Sequence, residues 1–153
     1  MSVLTGIPSS VADSDANDAA FFWAGLTRHE ILFQRCDACG RHRFPPMPSC
    51  PYCAAPGGTI VRLQGVGSIY SAITVRRAFA PEFADRVPYT VAVVQLPERV
   101  RLVGVIPGDR ARIGDVVVPD LIDRDGWTEL RFALARTGDA PCPSAGLTAE
   151  TAT

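Results

Sequence analysis

From Glu30 onward, apolar and polar residues alternate in short runs broken by Gly, Pro and Asp. A period of two is the pattern of strands that present one face to a core. Glu30 to Arg35 predicts a first strand. Gly67 to Arg77 alternates, with Ile69, Ile73 and Val75 expected on one face and Tyr70 and Thr74 on the other. Tyr89 to Leu96 and Arg99 to Ile106 are dense in Val and Leu, and Pro97-Glu98 suits a tight turn between them. Asp115 to Ile122 and Gly126 to Leu134 follow, joined by a turn at Asp123-Arg124-Asp125-Gly126. Pro119 has no N–H to give to a ladder, so its strand belongs at an edge or a bulge. Five short strands from 67 to 134, with no long helix between them and Gly at several bends, predict a mainly β chain that closes into a small barrel. The OB-fold is the leading form, with an SH3-like barrel as the alternative.

The pattern differs before residue 30. Residues 1–17 are small and polar with scattered Asp, and are expected to be disordered. Residues 18–29 predict a helix with Asp18 as N-cap and Phe21, Phe22, Trp23 and Leu26 as its apolar positions. Three adjacent aromatics exceed one helical stripe, so part of Phe21, Phe22 and Trp23 is expected to be covered by another segment or by a partner. His29 falls at the expected helix C-terminus, where its charge suits the helix dipole. Residues 30–58 read as a ribbon, 59–136 as the barrel domain and 137–153 as a disordered tail, whose Cys142 is expected to be silent.

The ribbon carries the chemistry. Cys36-Asp37-Ala38-Cys39 and Cys50-Pro51-Tyr52-Cys53 are two tight pairs that together supply a complete tetrahedral set of thiolates. Gly40 provides backbone freedom after the first pair, and Phe44-Pro45-Pro46-Met47-Pro48 makes a stiff connection to the second. Four protein ligands leave no open position for water or substrate, so the expected cofactor is a structural Zn2+ that holds a fold too small to form without it. A rubredoxin electron carrier shares the ligand set, but the gap here, residues 40–49, is much shorter.

Bulk properties narrow the function. The chain has 153 residues and a formal net charge of -1, so no global field draws it to nucleic acid or anionic lipid. No stretch reaches the length of a membrane span, and the N-terminus lacks a secretory pattern, so a cytoplasmic location is expected. All 15 basic residues are arginine, which excludes Schiff-base chemistry and a phosphate-loop lysine. With two histidines and no Gly-x-Ser-x-Gly elbow, no nucleophile–base pair can be assembled, and the chain is not expected to catalyse by itself. Arg41, His42 and Arg43 read as a solvated ribbon tip, or as a contact for a phosphate or an acidic patch. Arg76, Arg77 and Arg86 flank a loop with Phe79, Pro81 and Phe83. Arginines beside aromatics suit the adenine and phosphates of coenzyme A, single-stranded nucleic acid, or packing on a partner subunit.

The ordered set of motifs resembles a known family. Its features are Phe22-Trp23, the Cys36-x-x-Cys39-Gly40 knuckle, Phe44-Pro45-Pro46, and the Cys50-Pro51-x-Cys53 knuckle. Gly65-x-Gly67-Ser68-Ile69-Tyr70-Ser71, Pro88-Tyr89 and Ile113-Gly114-Asp115-Val116 follow, so the match covers roughly residues 18–135. This chain resembles bacterial and archaeal proteins that join a rubredoxin-like zinc ribbon to an OB-fold, long catalogued as a domain of unknown function. Ala54 departs from the pattern, standing where such knuckles often carry Gly. The resemblance implies a partner rather than a reaction: an accessory subunit of a thiolase-like enzyme (thiolase or aldolase) that helps bind acyl-CoA in lipid, steroid or polyketide metabolism. With that partner and ligand, Arg76, Arg77, Phe79 and Arg86 are the expected CoA contacts, and Phe21, Phe22 and Trp23 the expected partner contacts. A single-stranded nucleic-acid-binding OB-fold protein is the alternative.

Overall fold

A computed structural model describes residues 19–135. The expectations for residues 1–17, Asp18, the tail and Cys142 lie outside them. Helix α1 is Ala20–Leu26, and strands β1 Ile31–Arg35, β2 His42–Arg43 and β3 Thr59–Leu63 follow. Strands β4 Gly67–Val75, β5 Tyr89–Gln95, β6 Arg101–Pro107, β7 Val116–Arg124 and β8 Trp127–Leu134 complete the chain, with a 3-10 turn at Pro81–Arg86 between β4 and β5.

The first three strands form one sheet in the order β2-β1-β3. β3 pairs with β1 from Ile31↔Leu63 to Arg35↔Thr59, and the first strand of the barrel is β4, from Gly67. The last five strands close in the order β4-β5-β6-β8-β7. The closing contact is parallel, Val105↔Arg131, between β6 and β8. A five-stranded barrel with that order and that parallel pair is an OB-fold, which removes the SH3-like alternative. Pro119 lies in β7 past Val117, where the pairing with β4 ends, so its missing N–H costs no ladder bond on that side.

One buried cluster unites both modules. Phe22, Leu26, Ile31 and Phe33 join Ile69, Val94, Leu102, Val117 and Phe132. α1 makes this possible by packing on both β1 and β8. A Cβ on Gly104 would lie 2.5 Å from the ring of Phe132, so the largest fully buried barrel side chain occupies space that only glycine leaves free.

Two expectations are corrected by geometry. The β4–β5 register passes from Ile69↔Val94 to Ser71↔Val93, so Tyr70 is an extra, bulged residue. A bulge inverts the alternation beyond it. Ala72 and Thr74 therefore turn inward, and Ile73 is 64% exposed instead of sharing the core face with Ile69. The helix is shorter than residues 18–29: its cap position is Ala19, and the chain leaves it at Thr27. His29 then adopts φ 58 and its Nε2 meets Asp123 Oδ1 at 3.0 Å, tying the helix end to the β7–β8 hairpin.

Candidate metal centre and neighbouring surfaces

The two knuckles are built alike. Cys36 N donates to Arg41 O at 2.9 Å and Gly40 N to Cys36 O at 2.9 Å. Cys50 N donates to Ala55 O at 2.8 Å and Ala54 N to Cys50 O at 2.9 Å. The fourth residue after each leading cysteine is left-handed, Gly40 at φ 72 and Ala54 at φ 60. Glycine takes that conformation freely, whereas alanine at the second knuckle is strained.

This doubled turn brings all four Sγ atoms within 4.8 Å of one another. Cys36 and Cys53 are 3.7 Å apart, and Cys39 and Cys50 are 3.6 Å apart. A tetrahedral zinc with Zn–S bonds of about 2.3 Å requires sulfur pairs about 3.8 Å apart, so the cage fits the ion. The thiols themselves call for a cation. The backbone N–H of Cys39 leads in holding Cys36 below the ordinary thiol value. Burial pushes Cys50 up, but the N–H groups of Tyr52 and Cys53 and the adjacent sulfurs outweigh it and bring the thiol down to about 6. The Ala55 N–H favours the Cys53 thiolate, yet burial and the three neighbouring sulfurs push this thiol up to about 11. Four thiolates this close repel one another unless a divalent ion sits among them. Cys36, Cys39, Cys50 and Cys53 thus form a structural zinc site with every coordination position supplied by the chain.

Arg43 is not a solvated tip residue. Its relative exposure is 4%. Nε donates to Gln34 Oε1 at 2.8 Å, and Nη2 donates to Met47 O at 3.1 Å and to Gly57 O. Gln34 Oε1 also accepts from Met47 N at 3.0 Å. One side chain thereby joins β1, the loop between the knuckles and the segment after the second. Its Nη1 is buried without a hydrogen-bond partner among the described residues. No sequence motif announces this role, although Arg43 is two residues from Arg41, which is exposed and lies over Tyr52 at 4.7 Å. His42 is half-buried on β2.

The predicted CoA residues separate in space. Arg76 pairs with Asp109 at 2.9 Å, while Arg77 and Phe79 are exposed, Phe79 stacking at 4.4 Å on Phe83. Only Arg86 lines a cleft of about 460 Å³, together with Phe83, Tyr89, Val105, Arg124, Glu129 and Arg131 among others. Glu129 accepts from Arg124 Nη2 at 2.8 Å and from Arg131 Nε at 2.8 Å. Burial raises the pKa of Glu129, but the two arginines outweigh it and hold the carboxyl below its usual value. Arg124, Glu129 and Arg131 escaped the sequence reading. The i, i+2 spacing of Glu129 and Arg131 on one strand was the available signal.

The helix aromatics divide too. Phe22 is 5% exposed and packs on Phe44 at 4.8 Å, so it belongs to the core and is not offered to a partner. Phe21 and Trp23 are half-buried against that core.

A thiolate-saturated ribbon fused through a shared core to an OB barrel defines a zinc-ribbon/OB-fold protein. Comparison with known proteins gives the family. Residues 23–57 match the model for the ChsH2 rubredoxin-like zinc ribbon domain, and residues 60–120 match that for the ChsH2 C-terminal OB-fold domain. A solved structure described as "Ltp2-ChsH2(DUF35) aldolase" contains a chain that aligns with TM-score 0.68 and 34% identity over 79% of this chain and 98% of that one. The chain therefore belongs to the ChsH2/DUF35 family. It is 38% identical over 112 residues to a probable enoyl-CoA hydratase alpha subunit of Thermomonospora curvata, covering 71% of this chain and 34% of that protein. It is 36% identical over 137 residues to the 3-oxo-4,17-pregnadiene-20-carboxyl-CoA hydratase alpha subunit of Mycobacterium tuberculosis, covering 80% of this chain and 43% of that protein. The chain thus spans less than half the length of these two curated relatives. Among the described residues no helix is long and apolar enough to cross a membrane.

Proposed function

We propose that this chain is a non-catalytic accessory subunit that binds a thiolase-like enzyme and helps seat its acyl-CoA substrate. The observation that carries the reading is the alignment over 98% of a chain solved in an Ltp2–ChsH2(DUF35) aldolase. The chemistry agrees with it. The metal site is saturated by cysteine, so the zinc holds the fold while the reacting groups come from elsewhere. Phe21 and Trp23 provide apolar area on the helix for a partner. Arg86 and Arg131 at the cleft, with Arg77 and Phe79 on the loop beside it, supply cations and a ring suited to phosphates and adenine. The single-stranded nucleic-acid alternative needs a basic stripe with stacking aromatics. Strands β4, β5 and β6 carry one charged residue, Arg101.

Co-expression with the thiolase-like protein of the same organism tests the reading. The two should elute together, and the enzyme's turnover of acyl-CoA should depend on this chain. Separate elution with unchanged turnover refutes it. Calorimetric titration with CoA tests the second half: Arg86→Ala should weaken binding about tenfold, the loss of one charge-assisted phosphate contact.

A further inference from the structure

The outer face of β4, β5 and β6 is an exposed apolar sheet that no intramolecular segment among the described residues covers. Pairing stacks Ser71, Val93 and Val103 in one row and Ile73, Val91 and Val105 in the next. Val103 is 67% exposed, Ile73 64% and Tyr70 53%. The bulge at Tyr70 creates this patch, because it turns Ile73 outward. Contiguous exposed apolar area of this kind marks interaction surfaces.

Charge at its borders says what fits. The three strands contain no carboxylate. Arg101 ends the face on one side, its guanidinium 3.6 Å over the Tyr70 ring. Arg76 and Arg77 follow Val75 at the other end, Arg76 paired with Asp109 and Arg77 in no ion pair among the described residues. A second copy of this chain would set arginine against arginine across strands that hold no carboxylate, with Asp109 already engaged by Arg76. An anionic bilayer would be met by a flat array of Val, Ile and Tyr side chains on these strands, which lacks the Trp, Phe and Leu side chains that insert into headgroups.

We propose that this face docks the thiolase-like subunit through an apolar strip bordered by carboxylates; the inference rests on the functional reading above and deepens it. Docking there also covers the cleft beside it, since Tyr89, Val105 and Pro107 belong to both.

The test uses the full chain with its partner. Val103→Asp and Ile73→Asp each bury a carboxylate at the interface and should raise the dissociation constant about 100-fold. Zinc content and thermal midpoint should stay at wild-type values, because both side chains face solvent in the free chain. Arg101→Glu should slow association and reverse its salt dependence. If either Asp variant fails to fold, Val103→Thr and Ile73→Thr in one chain should still weaken binding about tenfold. Variants that bind as tightly as wild type overturn this inference alone. A wild-type chain that associates with no thiolase-like protein overturns the functional reading and this inference together. Sedimentation of the wild type with phosphatidylcholine–phosphatidylserine vesicles, abolished by Val103→Asp, overturns it in favour of a lipid surface.

Discussion

Replacing Arg43 with methionine isolates what the buried guanidinium does for the zinc ribbon. Methionine keeps most of the apolar stem and removes the donors. Three hydrogen bonds are lost, to Gln34, Met47 and Gly57. Each bond to a charged donor is worth about 1.5–3 kcal/mol net. Against this, the variant no longer buries a cation whose Nη1 has no partner, a relief of about 1–3 kcal/mol. Water can also reach the exposed Gly57 and satisfy its carbonyl. The balance is a loss of about 2–3 kcal/mol, taken near the low end of the per-bond range. Ribbon folding and metal binding are one equilibrium, so the loss appears in zinc affinity as a dissociation constant about 30- to 150-fold higher. Competition with a chromophoric chelator reads it directly. Arg41→Met, two residues away and exposed, is the control and should leave affinity unchanged. Equal affinities for the two variants would refute the argument that Arg43 braces the knuckles.

Ala54→Gly should relieve the left-handed strain at φ 60, raising ribbon stability by about 0.5–1 kcal/mol and tightening zinc binding several-fold in the same competition assay. Gly104→Ala should push Phe132 off its seat and cost at least about 2 kcal/mol, seen as a lower midpoint in denaturant unfolding followed at Trp127 in a Trp23→Phe background. Glu129 should make stability depend on pH. Its native pKa lies below the ordinary 4.5, so its contribution is full above that value and is lost as pH falls through the native one. Unfolding followed at Trp127 should therefore show Glu129→Gln destabilised at neutral pH and converging on wild type in acid; a constant difference at all pH values would contradict the two-arginine account.

The strands were legible because alternation reports burial directly, and β4 to β8 lie within two residues of the predicted runs at most ends. The zinc ligands were legible because two Cys-x-x-Cys pairs contain the whole coordination chemistry in sequence. β3 was missed: Thr59–Leu63 is short and largely exposed, with a burial pattern too weak to separate it from a linker. Arg43 was misread because residue type predicts exposure for arginine in general, while its burial goes with three acceptors on separate segments, at Gln34, Met47 and Gly57. The phase of β4 was misread because a bulge at Tyr70 is a property of its pairing with β5.

What the linear order of residues determined by itself was the local code: where thiolates cluster, where strands begin and end, where Pro and Gly forbid or permit a turn. Such information is carried within a few neighbouring residues. Only the folded chain decided which arginine is buried, which loop residues share a cleft, and that Ile73 faces outward in an uncovered valine field. Those outcomes depend on contacts between residues far apart in sequence, and a small shift in register changes them without altering any local pattern.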